Sequence, residues 1–165
     1  HPTTVAIIGQ GETAVLREVL KHDTVRSVKM IEPDTTLMNV VKEHFPFHTD
    51  CSAIVGSAPN CYDDPRVEVI AQDPFAWFSA ARDDADLLFD VIIAEATALS
   101  SGVDDRNTYL TSLYQTLNKN DGILIIHAGA SLHLHQPWQR YDSKPLIHDT
   151  VSLLETHPTT AAVIA

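Results

Sequence analysis

The chain has 165 residues, 44% of them hydrophobic, and no apolar run that approaches the length of a membrane span, so it can bury one ordinary core and shows neither a spanning segment nor a signal peptide. Its 22 acids against 11 Lys and Arg give a net charge of -11, a field that repels a nucleic-acid backbone and draws small cations, although acidity also serves solubility alone. Two cysteines, Cys51 and Cys61, are too few for a disulfide scaffold and suit a reducing cytosol, so the expected location is cytoplasmic.

Val5-Ala-Ile-Ile8 reads as a short buried strand, Gly9-Gln-Gly11 as a glycine turn, about Ala14 to His22 as a helix, and Ser27 to Ile31 as a second strand that stops at Glu32. That β-turn-α-β unit ending in an acid is the arrangement that holds a nucleoside: glycines let backbone N–H groups approach the ligand, and a carboxylate at the second strand tip accepts ribose hydroxyls. A Gly-x-Gly after a strand is equally a plain tight turn; the acid at Glu32 moves the reading toward a ligand. The helix starts near Glu12-Thr13, whose side chains suit its positive end. Val15, Leu16, Val19 and Leu20 form its buried face, with Arg17, Glu18 and Lys21 in solvent.

Asp34 precedes a second helix to about His44, with Leu37, Val40, Val41 and Phe45 as its apolar positions. Residues 46–65, with Pro46, Gly56, Pro59 and Pro65, read as an irregular connection. His44, His48, Cys51 and Cys61 match no usual zinc-ligand spacing, so no metal site is expected. Strand three is Val67 to Ile70, followed by Asp73, Pro74 and a helix holding Phe75, Trp77 and Phe78. Asp73 suits both a helix cap and a ligand contact, because right-handed crossovers return each parallel strand to the same edge. Strand four, Phe89 to Ala94, delivers Glu95 to that edge. Ala96 to Asp105 reads as a mobile loop over the site, and a helix from about Arg106 to Leu117 places Tyr109, Leu110, Leu113 and Leu117 at core spacing. Strand five is Ile123 to His127. His133 and His135 follow among leucines and suit packing or surface roles; a last helix, Ile147 to His157, then leads into a final strand at residues 160–164. Apolar β runs alternating with helices predict a mostly parallel sheet with helices on both faces.

Leu16-Arg-Glu-Val-Leu-Lys-His22, Asp64-Pro-Arg-Val-Glu-Val-Ile70 with Gln72-Asp73, Phe89-Asp-Val-Ile-Ile93 and Asn120-Asp-Gly-Ile-Leu124 together resemble the spermidine synthase family of polyamine aminopropyltransferases, in its nucleoside-binding domain. The resemblance implies a Rossmann-like sheet of the class I methyltransferase type, here lacking the last strand and the small N-terminal β domain. The expected organisation is one excised or truncated domain over residues 1–165. By position, Gly9 and Gly11 form the ligand turn, Glu32 takes ribose hydroxyls, Asp73 meets the adenine amino group, and Glu12 stands where the family has an aspartate for the cosubstrate's amine. Gln10, Thr13 and Ala14 replace family glycines.

The family pattern Asp-Ser-Ser-Asp becomes Glu95-Ala-Thr-Ala98. Glu95 keeps the first acid, whereas Ala98 has lost the second, which the family uses to bind and deprotonate the attacking amine. An amine with a pKa near 10.4 arrives protonated and cannot attack until a base removes the proton; Glu95, Asp104 and Asp105 are the acids nearby in sequence. The resemblance therefore implies aminopropyl transfer from decarboxylated S-adenosylmethionine to a small cationic amine, with methylthioadenosine as product and no permanently bound cofactor. The alternatives are a catalytically impaired adenosyl-binding homologue and a methyltransferase using S-adenosylmethionine. Neither nucleic acid nor membrane is an expected partner; a homo-oligomer of the full-length protein is.

Overall fold

The computed structural model describes residues 1–9, 11, 13–84, 86–95, 103–127 and 161–164. Strands β1 (Thr4–Ile8), β2 (Ser27–Ile31), β3 (Val67–Ile70), β4 (Val91–Glu95), β5 (Ile123–His127) and β6 (Ala161–Ile164) form one sheet in the order β3-β2-β1-β4-β5-β6. Every pairing is parallel. The strand order reverses beside β1, which lies between β2 and β4; at such a switch point the connections leave in opposite directions and open a crevice beyond the strands' C-terminal ends.

Side chains alternate across a strand, so consecutive aliphatic residues serve both faces. Ala6, Ile8, Ile92, Ala94, Leu124 and Ile126 pack on one face with Phe78 of α4 (Pro74–Ala81) and with Tyr109, Leu110 and Leu113 of α5 (Val103–Gln115). Val5, Ile7, Val28 and Met30 pack on the other with Leu16, Val19 and Leu20 of α1 (Ala14–Leu20) and Met38 of α2 (Thr35–His44). With seven residues, α1 is too short to persist alone. Burial of Leu16 and Leu20, worth about 1.5–3 kcal/mol each, holds it against the sheet.

The opposite edge of the sheet is tied by one carboxylate. Asp90 Oδ2 accepts from the Thr3 and Thr4 backbone N–H groups (2.7 and 3.1 Å) and from the Thr3 hydroxyl (2.9 Å), while Oδ1 accepts from the Asn118 side-chain amide (3.1 Å). Burial opposes its ionisation, but these donors win and bring the Asp90 pKa down to about 2.

Several expectations are corrected. Residues 46–65 are ordered rather than irregular: they contain α3 (Pro46–Thr49), a 3-10 turn (Cys61–Asp63), an antiparallel bridge between Asp50 and Asn60, and a disulfide between Cys51 and Cys61. The two cysteines are thus not reduced thiols; the bridge between Asp50 and Asn60 sets their backbones side by side, with Cα atoms 5.2 Å apart. Helix α2 buries Met38 and Val41 and exposes Leu37, Val40 and Phe45. Its seam is therefore the i, i+3 row through Met38 rather than the row through Leu37. Helix α5 starts at Val103, so Asp104 and Asp105 belong to its first turn instead of to a loop. Gln10, Glu12, Ala96 to Gly102 with Ala98, and 128–160 with His133, His135 and the helix expected at 147–157 lie outside the described residues.

Candidate nucleoside-binding site

The register brings the sequence-predicted residues to one edge. Ile8 of β1 is level with Ile31 of β2 and with Ala94 of β4, so Gly9, Glu32 and Glu95 each lie one position beyond that row. Ile31 is level with Ile70 of β3, and Asp73 follows three residues later. Gly9 turns the chain with φ 76°, a conformation that suits glycine, and its N–H donates to the Ile31 carbonyl (2.9 Å).

Glu32 is the most constrained acid of this edge. It is only 6% exposed, and its Oε1 accepts from the Asp34 backbone N–H at 2.8 Å. Among the described residues no donor reaches Oε2. That oxygen faces Gly11: a Cβ placed on Gly11 would lie 3.4 Å from Oε2 and 3.1 Å from Leu37 Cδ2. Gly11 therefore lies closely between a carboxylate oxygen of Glu32 on one side and Leu37, a leucine that is 42% exposed, on the other. A carboxylate oxygen placed there can accept from a ligand hydroxyl. Leu37 escaped the sequence reading because its position in the helical pattern assigns it to the core; a leucine five residues after the strand-tip acid is the signal that could have found it.

Thr13 departs from the expected cap. It is buried, sits in the left-handed region at φ 69°, and its side chain caps no helix N–H. Its hydroxyl donates instead to the His48 carbonyl at 2.6 Å. A left-handed conformation costs a β-branched residue about 1–2 kcal/mol, which explains why glycine fits this position and why Thr13 needs an anchor across the turn.

Asp73 is an exposed cap: its Oδ1 accepts from the Ala76 N–H at 2.9 Å, which leaves Oδ2 for a second partner. Behind it, the buried Tyr109 hydroxyl has no hydrogen-bond partner among the described residues. Burial first, and then the Asp73 charge, push the Tyr109 phenol above its ordinary value, so it stays protonated at neutral pH. Glu95 reaches the edge as the last residue of β4, paired with His127, whereas Asp104 belongs to α5. No group of three or more His, Cys, Asp or Glu among the described residues could hold a metal ion. Cys51 and Cys61 are bonded to each other and so offer no thiolate. No helix among the described residues is long and apolar enough to cross a membrane.

A parallel sheet in this order, with a glycine turn after β1 and a buried acid after β2, defines a Rossmann-like domain of the class I methyltransferase type. The chain belongs to the spermidine and spermine synthase family: the model of the spermine/spermidine synthase domain matches residues 1–146. Polyamine aminopropyltransferase 1 of Hyperthermus butylicus is 35% identical over 136 residues, covering 79% of this chain and 42% of that protein. The spermidine synthase of Thermotoga maritima superposes with a TM-score of 0.54 at 26% identity, over 72% of this chain and 34% of that one. A spermidine synthase in complex with the transition-state analogue AdoDATO gives a TM-score of 0.54 at 23% identity, over 72% and 36% of the two chains, a likeness of fold. The chain thus spans less than half the length of these relatives.

Proposed function

We propose that the crevice beyond β1, β2 and β4 binds decarboxylated S-adenosylmethionine or its thioether product, and that the whole protein transfers the aminopropyl group to a small cationic amine. The observation that carries the reading is the Glu32 carboxylate, buried, held by Asp34 through one oxygen and turned toward Gly11 with the other. In this proposal Glu32 takes the two ribose hydroxyls and Leu37 packs against the sugar or base. Asp73 accepts from the adenine amino group through the oxygen its helix cap leaves over, and Glu12 binds the cosubstrate's amine. Glu32, Asp73 and Glu95 make the edge acidic, and the net charge of -11 extends that field over the molecule, which suits a sulfonium ligand and a polyamine.

In the reaction the amine nitrogen attacks the methylene carbon next to the sulfonium. A carbon–nitrogen bond forms, the carbon–sulfur bond breaks, its electron pair returns to sulfur to give methylthioadenosine, and a base takes the amine proton. Glu95 and Asp104 are our candidates for that base. No resident cofactor is needed.

A second reading, an adenosyl-binding homologue with impaired catalysis, is favoured by Ala98, which stands at the family's second acid. Loss of general-base catalysis costs on the order of 100- to 10,000-fold. Calorimetry with methylthioadenosine, joined to product analysis with putrescine, separates the readings in the full-length protein. Methylthioadenosine release is expected; S-adenosylhomocysteine from S-adenosylmethionine would assign a methyltransferase, and binding without turnover the impaired homologue. A folded protein that binds no adenosyl compound overturns the proposal. Full-length protein also tests the expected homo-oligomer by light scattering. The cytoplasm remains our proposed compartment, although the Cys51–Cys61 bridge pulls the other way; cell fractionation with thiol trapping decides it.

A further inference from the structure

Residues 46–65 take no part in the proposed chemistry, yet they are wired to the ligand turn. Cys51 and Cys61, 1% and 0% exposed, are joined, and the Cys51 N–H donates to the Pro59 carbonyl at 2.8 Å. The Asn60 side chain accepts from the Tyr62 N–H at 3.0 Å, which sets the chain entering Tyr62. The buried Tyr62 ring lies under the Lys42 ammonium, 5.0 Å from its centroid, and the Tyr62 hydroxyl donates to the Gly11 carbonyl. From the other end of the same segment, the His48 carbonyl receives the Thr13 hydroxyl. The glycine turn is thus gripped at Gly11 and Thr13 by a segment that the disulfide closes.

We propose that Tyr62 is a positioning residue for the ligand turn and that the Cys51–Cys61 bridge sets Tyr62, so that affinity for an adenosyl ligand depends on whether the bridge is closed. The inference rests on the reading of the Glu32 edge as an adenosyl site. A dithiol reductant opens the bridge by two exchanges: one of its thiolates displaces a cysteine thiolate to form a mixed disulfide, and its second thiol then displaces the other. Two electrons and two protons pass to Cys51 and Cys61, and the reductant leaves as its own disulfide. Opening frees Cys61 from Cys51 and leaves the neighbouring Tyr62 hydroxyl to hold Gly11 without a fixed base. Because both sulfurs are buried, this reduction requires local opening of the 46–65 segment.

A simple staple would raise stability and leave affinity alone, so the test separates the two. Methylthioadenosine affinity is measured by calorimetry for the oxidised protein and after dithiothreitol, for wild type and Tyr62→Phe, with amide hydrogen exchange at Gly11 and Thr13 followed in parallel. Tyr62→Phe keeps the ring and removes the hydroxyl that donates to the Gly11 carbonyl. Reduction of the wild type is expected to raise Kd about 2- to 13-fold, the span of one neutral hydrogen bond, and to speed exchange at both amides. Oxidised Tyr62→Phe should show the same weakening, with less than about a twofold further change on reduction. Equal Kd in the two redox states, or a full redox effect persisting in Tyr62→Phe, overturns the inference. If oxidised wild type binds no adenosyl compound, the adenosyl reading fails, and the exchange rates still decide whether the bridge sets the turn; unchanged rates in both reduced wild type and Tyr62→Phe overturn that as well.

Discussion

Gly11→Ala is the substitution that separates site from fold. Gly11 has no positive φ demanding glycine, so alanine suits its backbone, and the new methyl would meet mainly Leu37: 3.1 Å to Cδ2 and 3.3 Å to Cγ, with Glu32 Oε2 at 3.4 Å. Leu37 is a flexible side chain that is 42% exposed, so it can turn outward at little cost. The change in folding stability should therefore stay below the roughly 1–3 kcal/mol that overpacking a rigid core costs. On the proposed function the ligand meets a different situation, because the methyl would lie 3.4 Å from Glu32 Oε2, the oxygen assigned there to a ribose hydroxyl. A hydrogen bond to a charged group is worth about 1.5–3 kcal/mol, so losing it weakens binding about 10- to 150-fold. Thermal melts report the first quantity and titration calorimetry with methylthioadenosine the second. An unchanged Kd in Gly11→Ala would refute the assignment of this space to the ligand, and a large drop in Tm would refute the argument that Leu37 yields.

Gly122→Ala should behave in the opposite way: its Cβ would fall 2.4 Å from the Asn118 carbonyl oxygen and 2.5 Å from Leu117 Cγ, a backbone clash that cannot be relieved locally. A loss of about 1–3 kcal/mol is expected, at roughly 2–4 °C of Tm per kcal/mol, with ligand affinity retained below the melt. Acid stability reports the buried Asp64, which accepts from Arg66 Nε and Nη2 at 2.9 Å each and whose pKa falls from 3.8 to about 2 because those hydrogen bonds outweigh desolvation. Its folded pKa is depressed, so its contribution of ~2 kcal/mol is complete above pH 3.8 and is lost as pH falls through about 2. Asp64→Asn should flatten that part of a pH-dependent unfolding curve, and an unchanged slope would exclude the pair as its source. Finally, a charge of -11 predicts no counterion-release binding to DNA or RNA, which a gel shift at low salt checks.

The strands were legible because parallel strands buried on both faces appear as continuous aliphatic runs, and Val67 to Ile70 and Ile123 to His127 carry the same bounds in sequence and structure. Gly9 and Glu32 were legible because a turn and a strand tip are local events whose edge follows from topology. What could not be read was set by contacts far apart in the chain. Tyr62 meets Gly11 across 51 residues, and Thr13 meets His48 across 35. Neither partner carries a local signature, so Thr13 passes for an ordinary cap and residues 46–65 for a loop. Leu37 was misassigned for a related reason: hydrophobic periodicity counts apolar positions without knowing which row meets the neighbouring helix.

The Asp90 knot at the start of β1 and β4 lies at the end of the sheet away from the crevice, tying Thr3, Thr4 and Asn118 through one carboxylate. Mutations accumulating over evolutionary time would therefore fall into two separate ledgers. Those near Asp90 are screened by whether the chain folds at all, whereas, on the proposed function, those around Gly11 and Glu32 are screened chiefly by what the chain binds. A lineage released from selection on catalysis should drift first along the crevice while its knotted end stays fixed, and deep mutational scanning with separate folding and binding selections would reveal that division as two spatially distinct sets of intolerant positions.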